Sequence, residues 1–426
     1  MTKQEMLSFA EAAVKAAGTI DAVAILTESR NASVRFGQNR ITQNLDVFKR
    51  ELQLTVGDGE KQATVTSQRI DIQALAGIAS EARALLETSV PDPEYMPPVP
   101  GNQIYPIVDQ AWDEFTAKCP ASNRMEAVGK VIDSAEAEGL TAAGICGMHS
   151  KQVALASSTG NLVTHRSTSA ELSFTMDKGL ASSYIELSGA SWSELKVDEA
   201  IATVAEQTRL NENAVEIEPG DYKIILEPEA TWNLLMFLPW IMNARTADEG
   251  TSVFSGMEGK KVAGDNFGLS SSLLGGQPGD SFSGEGLPAE DVVWFENGVL
   301  KNLPCDRFTA KKSGRRPLFV PNTLDMDGGT GSIEELIEGV DRGILIRRFW
   351  YIRFVDQKTL KLTGMTRDGV FLIENGKIVE PLKDFRWNWR PLELFSNILR
   401  IGTPERKAPG MIPPVVIDQQ HYPFTD

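Results

Sequence analysis

Histidine and cysteine are nearly missing from this chain, with three of each among 426 residues. His149, His165 and His421 are scattered, whereas a zinc site needs three or four ligands held together. Cys119, Cys146 and Cys305 are odd in number and far apart, the pattern of a reducing compartment and not of a disulfide-stapled secreted fold. A cytoplasmic location is therefore expected. Positive charge is also in short supply: 42 basic against 58 acidic residues leave a net charge of −16, which repels phosphate backbones and anionic headgroups. The one dense basic cluster is Lys311-Lys312-Ser313-Gly314-Arg315-Arg316, so neither nucleic acid nor a membrane is expected as a direct partner. The uncharged run from Trp232 to Ala244 falls short of the roughly 20 apolar residues that span a bilayer, and Pro239 interrupts it. It reads as a buried helix, kinked or started at that proline. The opening MTKQEMLSFAEAAVKAAG carries Glu5 and Glu11 and spaces Met6, Phe9, Ala10, Ala13 and Val14 as one helical face, which a signal peptide would not do.

What is present is the composition of a folded chain long enough for two or three domains. The first half repeats one script. A helix from Lys3 to Ala17 stopped by Gly18 is followed by AVAILT (Ala22 to Thr27), the alternating SVRF (Ser33 to Phe36), strands ELQLTV and QATVTS around Gly-Asp-Gly, and a helix from Asp71 to about Leu86. The second copy has a helix from Arg124 to Glu138 stopped by Gly139, then AAGIC, QVALASSTGNLVTH, ELSFTM and a helix from Asp198 to about Leu210. From Asp221 onward short strands dominate. Asn297-Gly298 and Asn375-Gly376 mark type I′ hairpins, and Ser332 with Glu335 forms a capping box. The expected fold is α+β: a duplicated N-terminal α/β region with an antiparallel or mixed sheet, then a β-rich, barrel-like domain with a few helices. The boundaries read as 1–90 for the first repeat unit, 91–101 for a stiff proline-rich linker, 102–215 for the second unit and 216–426 for the C-terminal domain.

Familiar chemistry is hard to place. Cys146 and His149 in CGMH offer two metal ligands and no more. His165 beside a turn and His421 near a disordered-looking end have no triad neighbours. GGTGS (Gly328 to Ser332) lacks the lysine and spacing of a phosphate loop. Glu227 and Glu229 read first as acids placed for a helix dipole, and second as paired carboxylates for acid/base work. Arg315 and Arg316 could clamp a carboxylate or peptide carbonyl, or simply sit in a solvated loop.

GTSVFSG (Gly250 to Gly256), SIEELIEGVDRGILI (Ser332 to Ile346) and TRDGVFLIENGKIVEPLKDFR (Thr366 to Arg386) resemble the TldD/PmbA family, described as modulators of DNA gyrase and as peptidase components. The resemblance implies the duplicated α/β region, the β-rich C-terminal domain and a peptidase context. In the catalytic, TldD half of the family, a helix carries His-Glu-x-x-x-His ahead of GTSVFSG, and a C-terminal cysteine helps hold the metal. Those motif positions fall here on Leu234, Leu235 and Pro239, and no cysteine follows Arg400. The chain is therefore closer to the PmbA (TldE) half, and neither a metal nor another cofactor of its own is expected.

The resemblance further implies a non-catalytic subunit that pairs with a TldD-like, metal-bearing paralogue as a heterodimer and shapes a chamber for unstructured peptides. Ser252, Arg315, Arg316, Arg367 and Asp368 are the candidate peptide-binding residues, the last two in an expected turn at Arg367-Asp368-Gly369. The other readings are a homodimeric peptide-binding or regulatory protein that kept the fold and lost the chemistry, and a metal-free hydrolase using Cys305 or Ser252, for which no base is in sequence reach. ILIRRFWYIRFV (Ile344 to Val355) departs from the family pattern by its aromatic and basic character, and suits a peptide-binding wall or a partner surface.

Overall fold

The computed structural model describes residues 1–18, 20–276, 278–319, 323–407 and 410–424. Helix α1 (Lys3–Ala17) opens on a capping box between Thr2 and Glu5 and buries Met6, Phe9, Ala10, Ala13, Val14 and Ala17. Strands β1 (Asp21–Gly37), β2 (Arg40–Gly57) and β3 (Gln62–Ser67) and helix α2 (Ile72–Thr88) complete the first repeat. AVAILT and SVRF are two ends of one strand: the polar residues between them stay in register with β2 on one side and with the second repeat on the other. That second repeat comprises α3 (Glu114–Lys118), α4 (Ala121–Ala137), β4 (Thr141–Ser157), β5 (Leu162–Lys178), β6 (Ala181–Gly189) and α5 (Val197–Leu210).

The two repeats share one six-stranded sheet in the order β3-β2-β1-β4-β5-β6. Strands β1 and β4 meet antiparallel at its centre, from Val23 opposite Ser157 to Phe36 opposite Gly144. Because side chains alternate across a strand, Ala24, Leu26 and Leu54 pack beneath α1 and α2, and Val34, Cys146, Leu172 and Phe174 beneath α4 and α5. The same alternation sends Asn31, His149, Lys151, Glu171, Ser173, Tyr184 and Glu186 to the opposite face, which carries no helix of its own repeat. The proline-rich linker lies along the first repeat without regular structure. Tyr95 donates to Asp21 Oδ2 at 2.6 Å, and Asn161 donates to the Val99 carbonyl at 2.9 Å.

The C-terminal region begins with β7 (Gly220–Leu226), α6 (Pro228–Leu235), α7 (Leu238–Ile241) and α8 (Ala244–Asp248). It continues through β8 (Leu269–Ser271), β9 (Val292–Glu296), β10 (Val299–Leu300), α9 (Arg307–Ser313), β11 (Asp325–Met326) and α10 (Ile333–Glu338) to the long pair β12 (Arg342–Asp356) and β13 (Lys361–Glu374). Strands β14 (Lys377–Pro381) and β15 (Arg386–Trp389), helix α11 (Pro391–Phe395), and strands β16 (Ile398–Ile401), β17 (Glu405–Lys407), β18 (Gly410–Ile412) and β19 (Val415–Tyr422) finish the chain. The main sheet, β14-β13-β12-β7-β19-β16 with β15 added to β13, curls into a half-barrel. Both Asn-Gly pairs form the expected hairpin turns, with φ of 51° and 74° at Asn297-Gly298 and of 50° and 75° at Asn375-Gly376. The Ser332–Glu335 capping box is also present. The tail around His421, expected to be disordered, is strand β19 inside the sheet, because Val415, Val416 and Ile417 bury against β7.

The run from Trp232 to Ala244 is not one buried helix. Helix α6 ends at Leu235, since a proline at position 239 has no N–H and its ring collides with the preceding turn. Pro239 instead sits in the first turn of α7, where the missing donor costs nothing. Leu234 and Leu235 have no exposed surface, whereas Pro239 is exposed and Trp240 is 76% exposed. Leu235→Ala should destabilise the fold by about 2–5 kcal/mol, the range for emptying a sealed leucine site. Denaturant melts that leave stability unchanged would show that α6 is not part of the core.

Candidate functional site

The N-terminal sheet and the C-terminal half-barrel meet along a cleft of about 260 Å³. Strand β6 supplies Tyr184 and Glu186, the start of α6 supplies Glu227 and Glu229, β12 supplies Arg347 and Arg348, and β13 supplies Asp368. The arginines and Asp368 are aimed by a bulge. Ile346 pairs with Val370 and Arg348 with Arg367, so Arg347 faces two residues, Asp368 and Gly369. Both have positive φ, 61° and 137°. A Cβ at position 369 would stand 2.6 Å from Arg347 Cδ, so glycine is required for the guanidinium to lie where it does. Arg367-Asp368-Gly369 is therefore a bulge within a continuous strand, which corrects the expected turn: ladder pairing persists on both sides of it.

Asp368 is the hub. Its Oδ2 accepts from Arg348 Nη1 at 2.7 Å, and its Oδ1 accepts from Ser182 Oγ at 2.7 Å, tying β13 to β6 across the seam. The Arg348 guanidinium also lies 3.5 Å above the Tyr184 ring, a cation–π contact. Tyr184 donates to Glu186 Oε2 at 2.7 Å, and burial followed by the Glu186 charge pushes its hydroxyl above the ordinary tyrosine range. Glu227 is the N-cap residue of α6 and Glu229 lies in its first turn, the positions the dipole reading expects, and neither side chain bonds the helix backbone. Glu227 pairs with Arg347 at 3.2 Å, and Glu229 accepts from Asn233, whose own carbonyl oxygen takes the Phe349 N–H. Burial raises both carboxyls, and the Arg347 charge offsets only part of the rise at Glu227. Nε of Arg347 makes that ion pair with Glu227, and its Nη1 is buried without a hydrogen bond. The cleft thus sets a buried Arg347 donor beside two carboxyls raised by desolvation, groups that can hydrogen-bond a polar ligand.

The other candidates lie elsewhere. Ser252 is buried, donates to the Ile241 carbonyl and accepts from the Phe254 N–H, so GTSVFSG pins α7 to α8. Arg315 is engaged by Asp248 and Glu258, and Arg316 pairs with Glu290. Among the described residues, no hydrogen bond or ion pair joins that arginine pair to Arg367 or Asp368. Cys305 is buried, which pushes its thiol up and away from nucleophilic behaviour. His149 bonds Asn31 across the sheet. Arg347, Arg348, Tyr184 and Glu186 were not singled out individually. The basic, aromatic run containing the two arginines was the available signal, and nothing local marked the other pair.

A resident metal does not fit. Leu234 and Leu235 are sealed in the core, Pro239 has no ligand atom, and among the described residues no three His, Cys, Asp or Glu converge as a ligand set.

Residues 219–421 match the PmbA/TldA metallopeptidase C-terminal domain. The chain is 27% identical over 237 residues to a metalloprotease TldD homolog of Buchnera aphidicola, covering 51% of this chain and 48% of that protein. It is 27% identical over 208 residues to a metalloprotease of Methanothermobacter thermautotrophicus, covering 45% of each. The chain therefore matches about half the length of these curated relatives. Two solved structures share the fold throughout. A modulator-of-DNA-gyrase protein of Thermotoga maritima superposes with a TM-score of 0.86 at 19% identity, covering 99% of this chain and 100% of that one. TldE of Thermococcus kodakarensis also gives 0.86, at 16% identity, covering 98% and 99%. The resemblance to the TldD/PmbA family thus extends through the C-terminal half in sequence and through nearly the whole chain in fold.

Asp368→Ala should cost about 1.5–3 kcal/mol, because the partly buried Arg348 loses its charge-assisted partner. Adding Arg348→Met should recover part of that loss in a double-mutant cycle; additive losses would mean the pair is not coupled. The raised carboxyls also carry a pH signature. The folded chain holds their protons more tightly than the unfolded chain, so this stabilisation is full below the ordinary value of 4.5 and is lost as pH rises through the folded-state value. Glu229→Gln should flatten the decline above pH 4.5 in urea melts, and an unchanged slope would contradict its burial.

Proposed function

We propose that this chain is the non-catalytic, metal-free subunit of a TldD/PmbA-type metallopeptidase that acts on unstructured peptides, and that its partner is a TldD-like paralogue bearing the metal. The observation that carries the proposal is the state of α6. Where the family's catalytic half places its metal motif, this chain has two leucines without exposed surface and a proline in the first turn of α7. The likeness to TldE of Thermococcus kodakarensis is consistent with this reading.

In the proposed assembly the seam cleft forms part of the peptide wall. Arg347 would donate to a backbone carbonyl, and Arg367 and Asp368 would hold the rim through the bulge. Ser252 would keep the GTSVFSG turn in shape. Arg315 and Arg316 would act as outer contacts, Arg316 being the freer with 64% of its side chain exposed.

Affinity purification of the tagged chain from its native host tests the proposal. A paralogue carrying His-Glu-x-x-x-His should come with it at equal stoichiometry, and peptidase activity should follow the pair and vanish when that paralogue's motif is substituted. A chain that purifies alone and cleaves peptides, or a homodimer that ignores the paralogue, would overturn it.

A further inference from the structure

A second polar cluster lies away from the seam cleft, where a loop of the C-terminal half crosses the helix-free face of the N-terminal sheet. Lys151 on β4 and His165 on β5 point to that face as diagonal neighbours, since Lys151 pairs with Ser167 and Val153 with His165. Asp280, on the loop between β8 and β9, comes down between them. Its carboxylate is 3.8 Å from Lys151 Nζ and 3.5 Å from His165 Nε2. The loop is seated by Tyr105, which donates to the Gly286 carbonyl at 2.9 Å and meets Phe282 edge-on at 5.9 Å.

The cluster is unfinished. The His165 side chain is only 5% exposed, yet its Nε2 has no hydrogen-bond partner; the buried Ser281 hydroxyl, on the adjoining cavity, has none either. Buried polar atoms in folded proteins are nearly always satisfied, so such orphans call for an occupant. His165 and Asp280 border a cavity of about 190 Å³ whose remaining walls include Ile25, Val153, Phe282 and Phe319. That is below the roughly 300–1,000 Å³ of pockets for drug-sized ligands, so the space suits a small metabolite. Desolvation holds His165 below its usual range, toward the neutral form, and the nearby Asp280 charge offsets only part of this. The lining charges are then one ammonium and one carboxylate. A simple anion would be repelled by Asp280 and a simple cation by Lys151. A ligand carrying both signs meets each of them.

We infer that this pocket binds a small zwitterion, a free α-amino acid with an apolar side chain. Its ammonium would pair with Asp280 and its carboxylate with Lys151, His165 would supply a further hydrogen bond, and its side chain would lie against Val153, Ile25 and the two phenylalanines. The occupant would bridge the sheet and the crossing loop and thereby hold the two halves together. The inference does not depend on whether the chain has a metal-bearing partner.

Calorimetry on the full chain with L-leucine as the probe tests it. Leucine should bind one per chain and raise the melting temperature. N-acetyl-L-leucine, which lacks the ammonium, and L-leucinamide, which lacks the carboxylate, should each bind at least ~10-fold more weakly, the equivalent of one lost charge-assisted contact. Asp280→Asn and Lys151→Met, in protein whose circular dichroism matches wild type, should lose binding to a similar degree. No heat of binding at millimolar leucine, equal binding of leucine and either analogue, or an unaffected Asp280→Asn variant would each overturn the inference. The two analogues are read on the unaltered protein, so a variant that fails to fold leaves the test intact.

Discussion

The burial of Leu234 and Leu235 against the half-barrel is the constraint from which the functional geometry follows. Two adjacent leucines with no exposed surface fix α6 in rotation and in depth. Once α6 is fixed, its first turn has one place to go, and Glu227 and Glu229 arrive at the seam with the N-terminal sheet. In the catalytic half of the family the same helix face is expected to carry metal ligands. Here it packs, and the charged chemistry is confined to the helix start.

That chemistry is held by the opposite wall. The bulge puts two residues of β13, Asp368 and Gly369, opposite the single Arg347, so alternation breaks on β13 and Asp368 reaches the cleft that Arg347 and Arg348 also line. Arg348 is committed to Asp368 and Tyr184 and so joins the two halves of the molecule. Arg347 keeps an unbonded Nη1, and desolvation raises the carboxyls of Glu227 and Glu229. One wall thus sets a committed arginine and one with an unbonded nitrogen at adjacent positions.

Legibility of all this in the sequence followed the range of the interactions. The Asn-Gly hairpins, the Ser332–Glu335 box and the duplicated script are written in residues a few positions apart, and the structure has them. Pro239 signals a kink or a helix start and the structure has the start, in the first turn of α7, but the proline does not tell which side of the break stays buried. The strand at His421 was hidden because its apolar core, Val415 to Ile417, is short and its partner β7 lies far back in the chain. Arg347 and Arg348 stood out as part of an unusual run, yet their partners Asp368, Glu227 and Tyr184 come from three other elements. His165 lacked a neighbour in sequence for the same reason: Asp280 reaches it from a distant loop.

By the resemblance to the catalytic half of the family, metal ligands would stand at Leu234 and Leu235, which here are core packing. Elemental analysis of the purified full-length chain, separated from any paralogue, measures this most directly. The account predicts no stoichiometric zinc or iron, and no change in melting temperature on treatment with a chelator. About one tightly held transition metal per chain, lost together with thermal stability when a chelator is added, would contradict it.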